Sequence, residues 1–368
     1  MASTPLLEYL KNESSSLPTM DYRGAELVAR FGDSQAELTA LRTGCGIYDL
    51  GFLERTELNG KDRVRWLNGM VTNNIRDLIV GSGVYAFLLN PQGQIQGDLY
   101  AYRLEDSILI DTDRAQAETT LAKLKRYIIM DDVKMNSLAD KVTAIGVSGP
   151  RAREVLTLAG ITIPETQPLQ FFIPQCSCDC NCIECTLIRG QDAPRETYEI
   201  WIAPGEIGKV WEALTAAGAT PVGAEAQEIR RIVQGIPLYG VDIRERELPQ
   251  ETAQMRALNF TKGCYIGQEI VERIRARGHV NRKFTGFLTN DAKQLERGAK
   301  ISADGKEVGE ITSLASLHDE SGERTLALGY IRREAAAAGR EVIIGDVKAN
   351  VVDLPLQVSV SQEVVAAH

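Results

Sequence analysis

Histidine is nearly missing from this chain, with 3 among 368 residues. A hydrolytic engine of the Ser-His-Asp kind needs a positioned imidazole, and His279, His318 and His368 give poor material for one. There is no Walker loop and no dinucleotide fingerprint, since Gly44-Cys45-Gly46 lacks the third glycine at the required spacing. The segment Met1 to Pro18 is polar and Ser-rich without a long apolar run, which reads as neither a signal peptide nor a membrane span and points to the cytoplasm. Basic residues are outnumbered 41 to 50, a net charge of −9 that argues against broad nucleic-acid binding. A disulfide framework is absent as well: the cysteines number 7, and five of them crowd between Cys176 and Cys185, which fits a reducing compartment. No internal repeat stands out.

What is present is ordinary globular material, 44% hydrophobic and 25% charged, in a chain long enough for two or three domains. Residues 1–20 read as a loose leader. Helical spacing runs from Ala25 to Arg42, and Leu41 to Asp49 leads into a strand. Arg63 to Met70 reads as a helix with Asp62 as its cap. Strands are expected over Val84–Leu89, Gln94–Arg103, Ser107–Asp111, Val142–Val147 and Tyr198–Ile202. The intervening helices are Ala115–Ile128, Arg151–Leu158, Gly208–Ala217 and Glu225–Val233, with Glu269–Arg277 following. After about Asn281 the texture changes to short strands (Phe284–Thr289, Glu307–Leu314, Leu326–Ile331, Val342–Val352) between Gly- and Asp-rich turns, the spacing of a small barrel or sandwich. A boundary near 280 separates a region 21–280 from a strand domain over 281–360.

The most informative segment is Lys262-Gly263-Cys264-Tyr265-Ile266-Gly267-Gln268-Glu269. A lone thiol sits between two glycines, beside a lysine and ahead of a helix. A neighbouring cation and a helix N-terminus both favour a thiolate. The glycines allow a sharp turn or a close backbone approach. Cys264 therefore stands as a candidate reactive thiol and Lys262 as the residue that activates it.

Phe260 to Glu269, with Leu248-Pro249-Gln250-Glu251 before it, resembles the signature of the YgfZ family, folate-binding relatives of the glycine-cleavage T-protein. The likeness runs from about residue 23 to 355 and takes in Leu41–Leu50 and Trp66–Asn73. It implies an α+β fold: a three-domain cloverleaf of the T-protein kind around a central folate site, two interleaved α/β lobes over 21–280 and a C-terminal β-barrel. Asn90 to Asp98 is similar to the T-protein segment that ends in two adjacent aspartates beside the folate ring; here the pair is reduced to Gly97-Asp98. Asp98 can exchange a proton with, or bond to, a pterin nitrogen. Glu199, in Thr197-Tyr198-Glu199-Ile200, matches the pterin-binding glutamate; a carboxylate accepts the adjacent N–H and amino groups of a pterin in one plane. Arg231 matches the arginine that faces the folate, with Val233 where the family has a glutamate. Tyr85 is a candidate aromatic face for the ring.

The cluster Cys176, Cys178, Cys180, Cys182 and Cys185 is not part of that resemblance. These thiols are candidate ligands for a soft metal such as Zn(II) or Cu(I), or for an iron–sulfur cluster, although C-x-C-x-C departs from the usual C-x₂-C spacing. By resemblance the chain binds tetrahydrofolate and supports assembly or repair of iron–sulfur clusters in client enzymes, radical-type tRNA-modifying ones included. Its expected partners are folate and iron–sulfur client or assembly proteins, with no membrane and no direct nucleic-acid contact. Two other readings stay open: a folate-dependent aminomethyltransferase, and a non-enzymatic folate or metal sensor.

Overall fold

The structure, a computed structural model, describes residues 2–13, 16–174, 184–191, 196–290, 295–319 and 322–357. The chain divides into two compact units, Met1–Gln227 with Arg256–Ile270, and Glu228–Met255 with Val271–His368.

The first unit holds two large sheets and a two-stranded one, Thr19–Tyr22 with Ala25–Val28. One is a five-stranded antiparallel sheet in the order Ser82–Leu89, Ile95–Arg103, Ile108–Asp113, Leu53–Asn59, Lys134–Ser137. Alternation along Ile95–Arg103 sends Ile95, Leu99 and Ala101 to one side and Asp98, Tyr100 and Tyr102 to the other. The apolar side packs with Trp66, Leu67 and Leu124 of the helices Arg63–Met70 and Arg114–Lys125. The second sheet runs in the order Phe171–Phe172, Thr186–Arg189, Thr197–Ile202, Thr143–Ser148, Gly46–Asp49, Thr220–Val222, with the last pair parallel. One of its faces packs on Val155, Val210, Trp211 and Leu214 of two helices. From its other face Ile188 and Trp201 enter a shared core with Tyr102 and Leu53 of the first sheet. Each fully buried side chain of this size is worth about 2 kcal/mol of apolar transfer.

Three sequence expectations change here. The leader is not loose: Pro5–Glu13 is a helix with Leu6 and Leu7 buried, and the Thr4 hydroxyl donates to the buried Asp49 carboxylate. Ala25–Arg42 is not one helix. Ala25–Val28 is a strand paired with Thr19–Tyr22, and the helix spans Ser34–Thr43, capped by the Asp33 carboxylate on the Ala36 N–H at 3.0 Å. The expected cap Asp62 makes no capping bond; its carboxylate accepts instead from the Asp132 N–H at 2.9 Å.

The second unit is a closed antiparallel barrel in the order Arg282–Thr289, Gly322–Arg332, Lys306–Asp319, Lys300–Ala303, Glu341–Ile344, Val347–Val352. Its interior holds Phe287, Ile301, Ile311, Ile331, Val342 and Val351. The single strand expected over Val342–Val352 is a hairpin broken at Gly345, whose φ of +59° a β-branched neighbour would not accept.

Candidate functional site

The polar-aromatic face of the five-stranded sheet gathers residues far apart in the chain. Tyr85 pairs across strands with Tyr100, Tyr100 with Asp111, and Asp111 with Arg55, which places one row of side chains across four strands. The rings of Tyr85 and Tyr100 lie 5.0 Å apart. The Tyr85 hydroxyl donates to Asp98 Oδ2 at 2.6 Å, and the Gln116 side-chain amide donates to the other Asp98 oxygen. The Arg256 guanidinium lies 5.1 Å from the centre of the Tyr85 ring, and the Asn73 amide ties the Tyr85 carbonyl (2.8 Å) to that of Arg256 (2.9 Å). Burial, then the Asp98 charge, push the Tyr85 phenol well above its ordinary range, so it stays a hydrogen-bond donor.

Opposite this face stands the strand Thr197–Ile202. Glu199, half-buried, accepts from the Trp201 indole N–H at 2.9 Å. Trp201 meets Tyr102 edge-on at 5.1 Å and carries the Arg55 guanidinium 4.3 Å from its ring centre. Burial pushes the Asp111 carboxyl up to about 7; Arg55 pulls it down, while Glu199 and Asp113 push it further up. Of the residues singled out in the sequence, Tyr85 and Asp98 therefore share one surface, and Glu199 lies within its electrostatic reach. Arg55, Tyr100, Asp111, Gln116 and Arg256 complete it without having been singled out. The alternation Glu54-Arg55-Thr56-Glu57 reads as a solvated strand face, and only the register with Asp111 reveals otherwise.

Gly97, which by resemblance stands where the T-protein pattern has an aspartate, belongs to the opposite face. A Cβ there would lie 2.6 Å from Thr120 Oγ1 and 3.1 Å from its Cγ2, against the helix Arg114–Lys125. The carboxylate that the chain keeps is the one on the aromatic face.

The segment around Cys264 differs from expectation in how Lys262 acts. Its ammonium is buried and donates to the carbonyls of Asn68 (2.6 Å), Val71 (2.6 Å) and Asn73 (2.7 Å). Burial pushes Lys262 down to about 7. Three acceptors match the three N–H bonds of an ammonium, and a neutral amine would turn a lone pair on one of them, so the carbonyls retain the proton. Lys262 pins the loop to the end of the helix Arg63–Met70; it is a staple, and its donors do not serve the thiol. The helix Gln268–Arg277 begins after a turn closed by the Gln268 side chain on the Tyr265 N–H (3.3 Å), not directly after Cys264. Gly267 is required: its φ is +80° and a Cβ would lie 2.6 Å from the Asn90 carbonyl oxygen, whereas a Cβ at Gly263 meets nothing within 4 Å. The result is a fixed loop that carries Cys264 as an exposed free thiol.

Arg231 lies in the barrel unit. All five of its N–H donors are engaged, with Glu228 (2.9 and 2.7 Å), Asp242 (2.7 Å), the Ile236 carbonyl (2.6 Å) and Ser313 (3.0 Å). It has no donor left for a folate, and the role implied for it by resemblance is corrected to that of a structural clamp. Glu251 of the Leu248–Glu251 segment is likewise buried and accepts from Arg282 at 2.8 Å. The barrel unit also has an open cavity of about 940 Å³ lined by Arg246, Arg282, Lys300, Glu310 and Tyr330 among others. The cations Arg246, Arg282 and Lys300 are already paired with carboxylates, and none of the residues discussed above for folate or thiol chemistry lines it.

Cys176, Cys178, Cys180 and Cys182 lie outside the described residues. Cys185 is buried, and burial pushes its thiol up to about 11. Among the described residues no group of three or more His, Cys, Asp or Glu side chains is placed to hold a metal ion. No described helix is long and apolar enough to cross a membrane.

Comparison with known proteins agrees with this architecture. Residues 18–262 match the GCVT N-terminal domain, and residues 282–357 match the glycine cleavage T-protein C-terminal barrel domain. The chain is 27% identical over 357 residues to the aminomethyltransferase of Rubrobacter xylanophilus, covering 96% of this chain and 93% of that protein. It is also 27% identical over 332 residues to a protein of Arabidopsis thaliana named as a candidate chloroplastic transferase, covering 87% of this chain and 73% of that one. The crystal structure of the glycine cleavage system aminomethyltransferase T from Bartonella henselae superposes with a TM-score of 0.83 at 22% identity, over 96% of this chain and 97% of that one. The chain belongs to the glycine cleavage T-protein family and has its fold, an N-terminal GCVT domain followed by a six-stranded β-barrel.

Proposed function

We propose that the chain binds tetrahydrofolate on the Tyr85–Asp98–Tyr100 face, with Glu199 accepting from the pterin. Cys264 then acts as a separate, accessible thiol toward a client protein. The observation that carries the first half is the convergence of a half-buried carboxylate, Glu199, and an aromatic row ending in the Tyr85–Asp98 hydrogen bond within one unit. One Glu199 oxygen already holds the Trp201 N–H at 2.9 Å, which fixes the plane of the carboxylate before a ligand arrives. Folate, when bound, supplies one-carbon carrier chemistry; the chain's own groups bind and orient it. The likeness to the YgfZ branch rests on Phe260–Glu269, and support of iron–sulfur cluster assembly or repair comes with it. The exposed Cys264 on a loop stapled by Lys262 suits transient contact with a client.

Calorimetric titration of tetrahydrofolate tests this. Wild type and Cys264→Ser are expected to bind at about micromolar Kd, and Glu199→Ala at least about tenfold more weakly. Absence of binding in wild type overturns the folate half and leaves the thiol standing alone.

A second reading, aminomethyl transfer, is favoured by one observation: Asp98 is kept on the aromatic face, and the position lost at Gly97 points to the opposite one. A one-carbon transfer assay with an aminomethyl donor separates the readings. Turnover that disappears in Asp98→Asn but survives Cys264→Ser supports the transferase.

A further inference from the structure

Arg55 is fully buried, and Asp111 beside it nearly so. Their closest approach is 3.5 Å, from Nε to Oδ1, and among the described residues neither that oxygen nor any of the three guanidinium nitrogens has a hydrogen-bond partner. A buried cation normally offsets its lost hydration with a full set of hydrogen bonds. This one does not, so its placement is poor as a stability device. Its surroundings suggest a different role. The guanidinium lies over the Trp201 indole at 4.3 Å, and the N–H of that indole is the group that holds Glu199. The Glu199 charge raises the proton affinity of Asp111, and Arg55 is the charge that opposes this there. Tyr102, edge-on to Trp201, feels Glu199, Asp111 and Arg55 together.

We infer that Arg55 is a positioning residue for the candidate ligand site: its guanidinium packs on Trp201 to hold the indole N–H on Glu199, and its charge compensates the Asp111 and Glu199 carboxylates. This rests on the reading of Glu199 as the pterin acceptor. A cation–π contact in a desolvated site and a charge-assisted hydrogen bond are each sensitive to geometry, and here one depends on the other. Arg55→Met keeps most of the side-chain volume and deletes the charge; Arg55→Lys keeps the charge and loses the planar stack.

The experiment combines tetrahydrofolate calorimetry with the amide and indole NMR spectrum of the unliganded full chain, in which the Trp201 indole signal is identified by Trp201→Phe. Arg55→Met is expected to shift that signal and to weaken tetrahydrofolate binding at least about tenfold, with Arg55→Lys intermediate in both. Arg55→Met with an unmoved indole signal and wild-type affinity overturns the inference. So do Arg55→Met and Arg55→Lys that lose stability equally and leave the indole signal in place, since that marks simple core filling. If Arg55→Met fails to fold, Arg55→Lys alone decides: an unmoved indole signal overturns the inference. If wild type binds no folate, the reading of the site fails, and the indole shift still reports whether Arg55 positions Trp201.

Discussion

The Lys262 ammonium lies 2.6 Å from the Val71 carbonyl oxygen, and that contact joins the Cys264 loop to the end of a helix almost two hundred residues earlier in the chain. Two further carbonyls share the same ammonium. Lys262→Met would strand three carbonyl oxygens without these donors, and we expect a loss of about 3 kcal/mol in chemical denaturation. Cys264→Ser, on the exposed side of the same loop, should stay within about 0.5 kcal/mol. Equal stability of Lys262→Met and wild type would mean that the staple is not what fixes the loop.

Gly97→Asp restores the aspartate pair of the T-protein pattern on paper only. Its Cβ would press on Thr120 at 2.6 Å, and the new carboxylate would enter the side of the sheet that packs on a helix. The variant should be destabilised by about 2 kcal/mol or more and gain no folate affinity. A gain in affinity or transfer activity, measured with tetrahydrofolate against wild type, would contradict this placement.

Burial raises the Asp49 carboxyl from 3.8 to about 6, against the Thr4 hydroxyl, the Gly51 N–H and Arg114. Between those pH values the folded state keeps a proton that the unfolded state has lost. Stability from this group is therefore fully present below 3.8 and declines as pH rises through 6, by up to about 3 kcal/mol. Asp49→Asn should remove that decline, so the difference between the denaturation midpoints of variant and wild type should change between pH 4 and 7 and level off above. A constant difference would show that Asp49 does not titrate there.

Arg231→Met would leave Asp242 buried beside Thr312 and Ser313 without its cation. A loss of about 3–5 kcal/mol is expected, since one partner of a buried pair is removed. Arg231→Lys should recover little of it, because three ammonium donors cannot replace five in a planar fork. Tetrahydrofolate affinity of whatever remains folded should be unchanged; a selective loss of affinity at wild-type stability would return Arg231 to the ligand.

Much of the fold is legible in the sequence because local pattern and final structure agree. The helix expected over Glu225–Val233 forms as Ala224–Val233, and the strand expected over Phe284–Thr289 forms as Arg282–Thr289. The failures have physical causes. Ala25-Glu26-Leu27-Val28 fits either period over so few residues, and pairing with Thr19–Tyr22 decides it. Leu6 and Leu7 look too few to dock a helix; the hydroxyl of Thr4 on Asp49, 45 residues away, is invisible to any local reading. Of the candidate site, Tyr85, Asp98 and Glu199 are visible through resemblance. Arg55 and Asp111 are not, because their meaning lies in a strand register. At Lys262 proximity in sequence misleads, since a lysine two residues before a cysteine turns its side chain inward, to the backbone of another segment.

The path of the chain between its two units carries a practical consequence. It leaves the first unit after Gln227, returns at Arg256 and leaves again after Ile270. No single cut therefore yields two complete halves. A recombinant barrel starting at residue 282 would lack Arg231 and Asp242, which meet Ser313 and Thr312 from within its own unit, and Glu228, which holds Arg231. A first-unit fragment ending at Gln227 would carry no Cys264 loop at all. Co-expression, or insertion of a cleavable site in each of the three connections, is what would divide this protein at its natural seams.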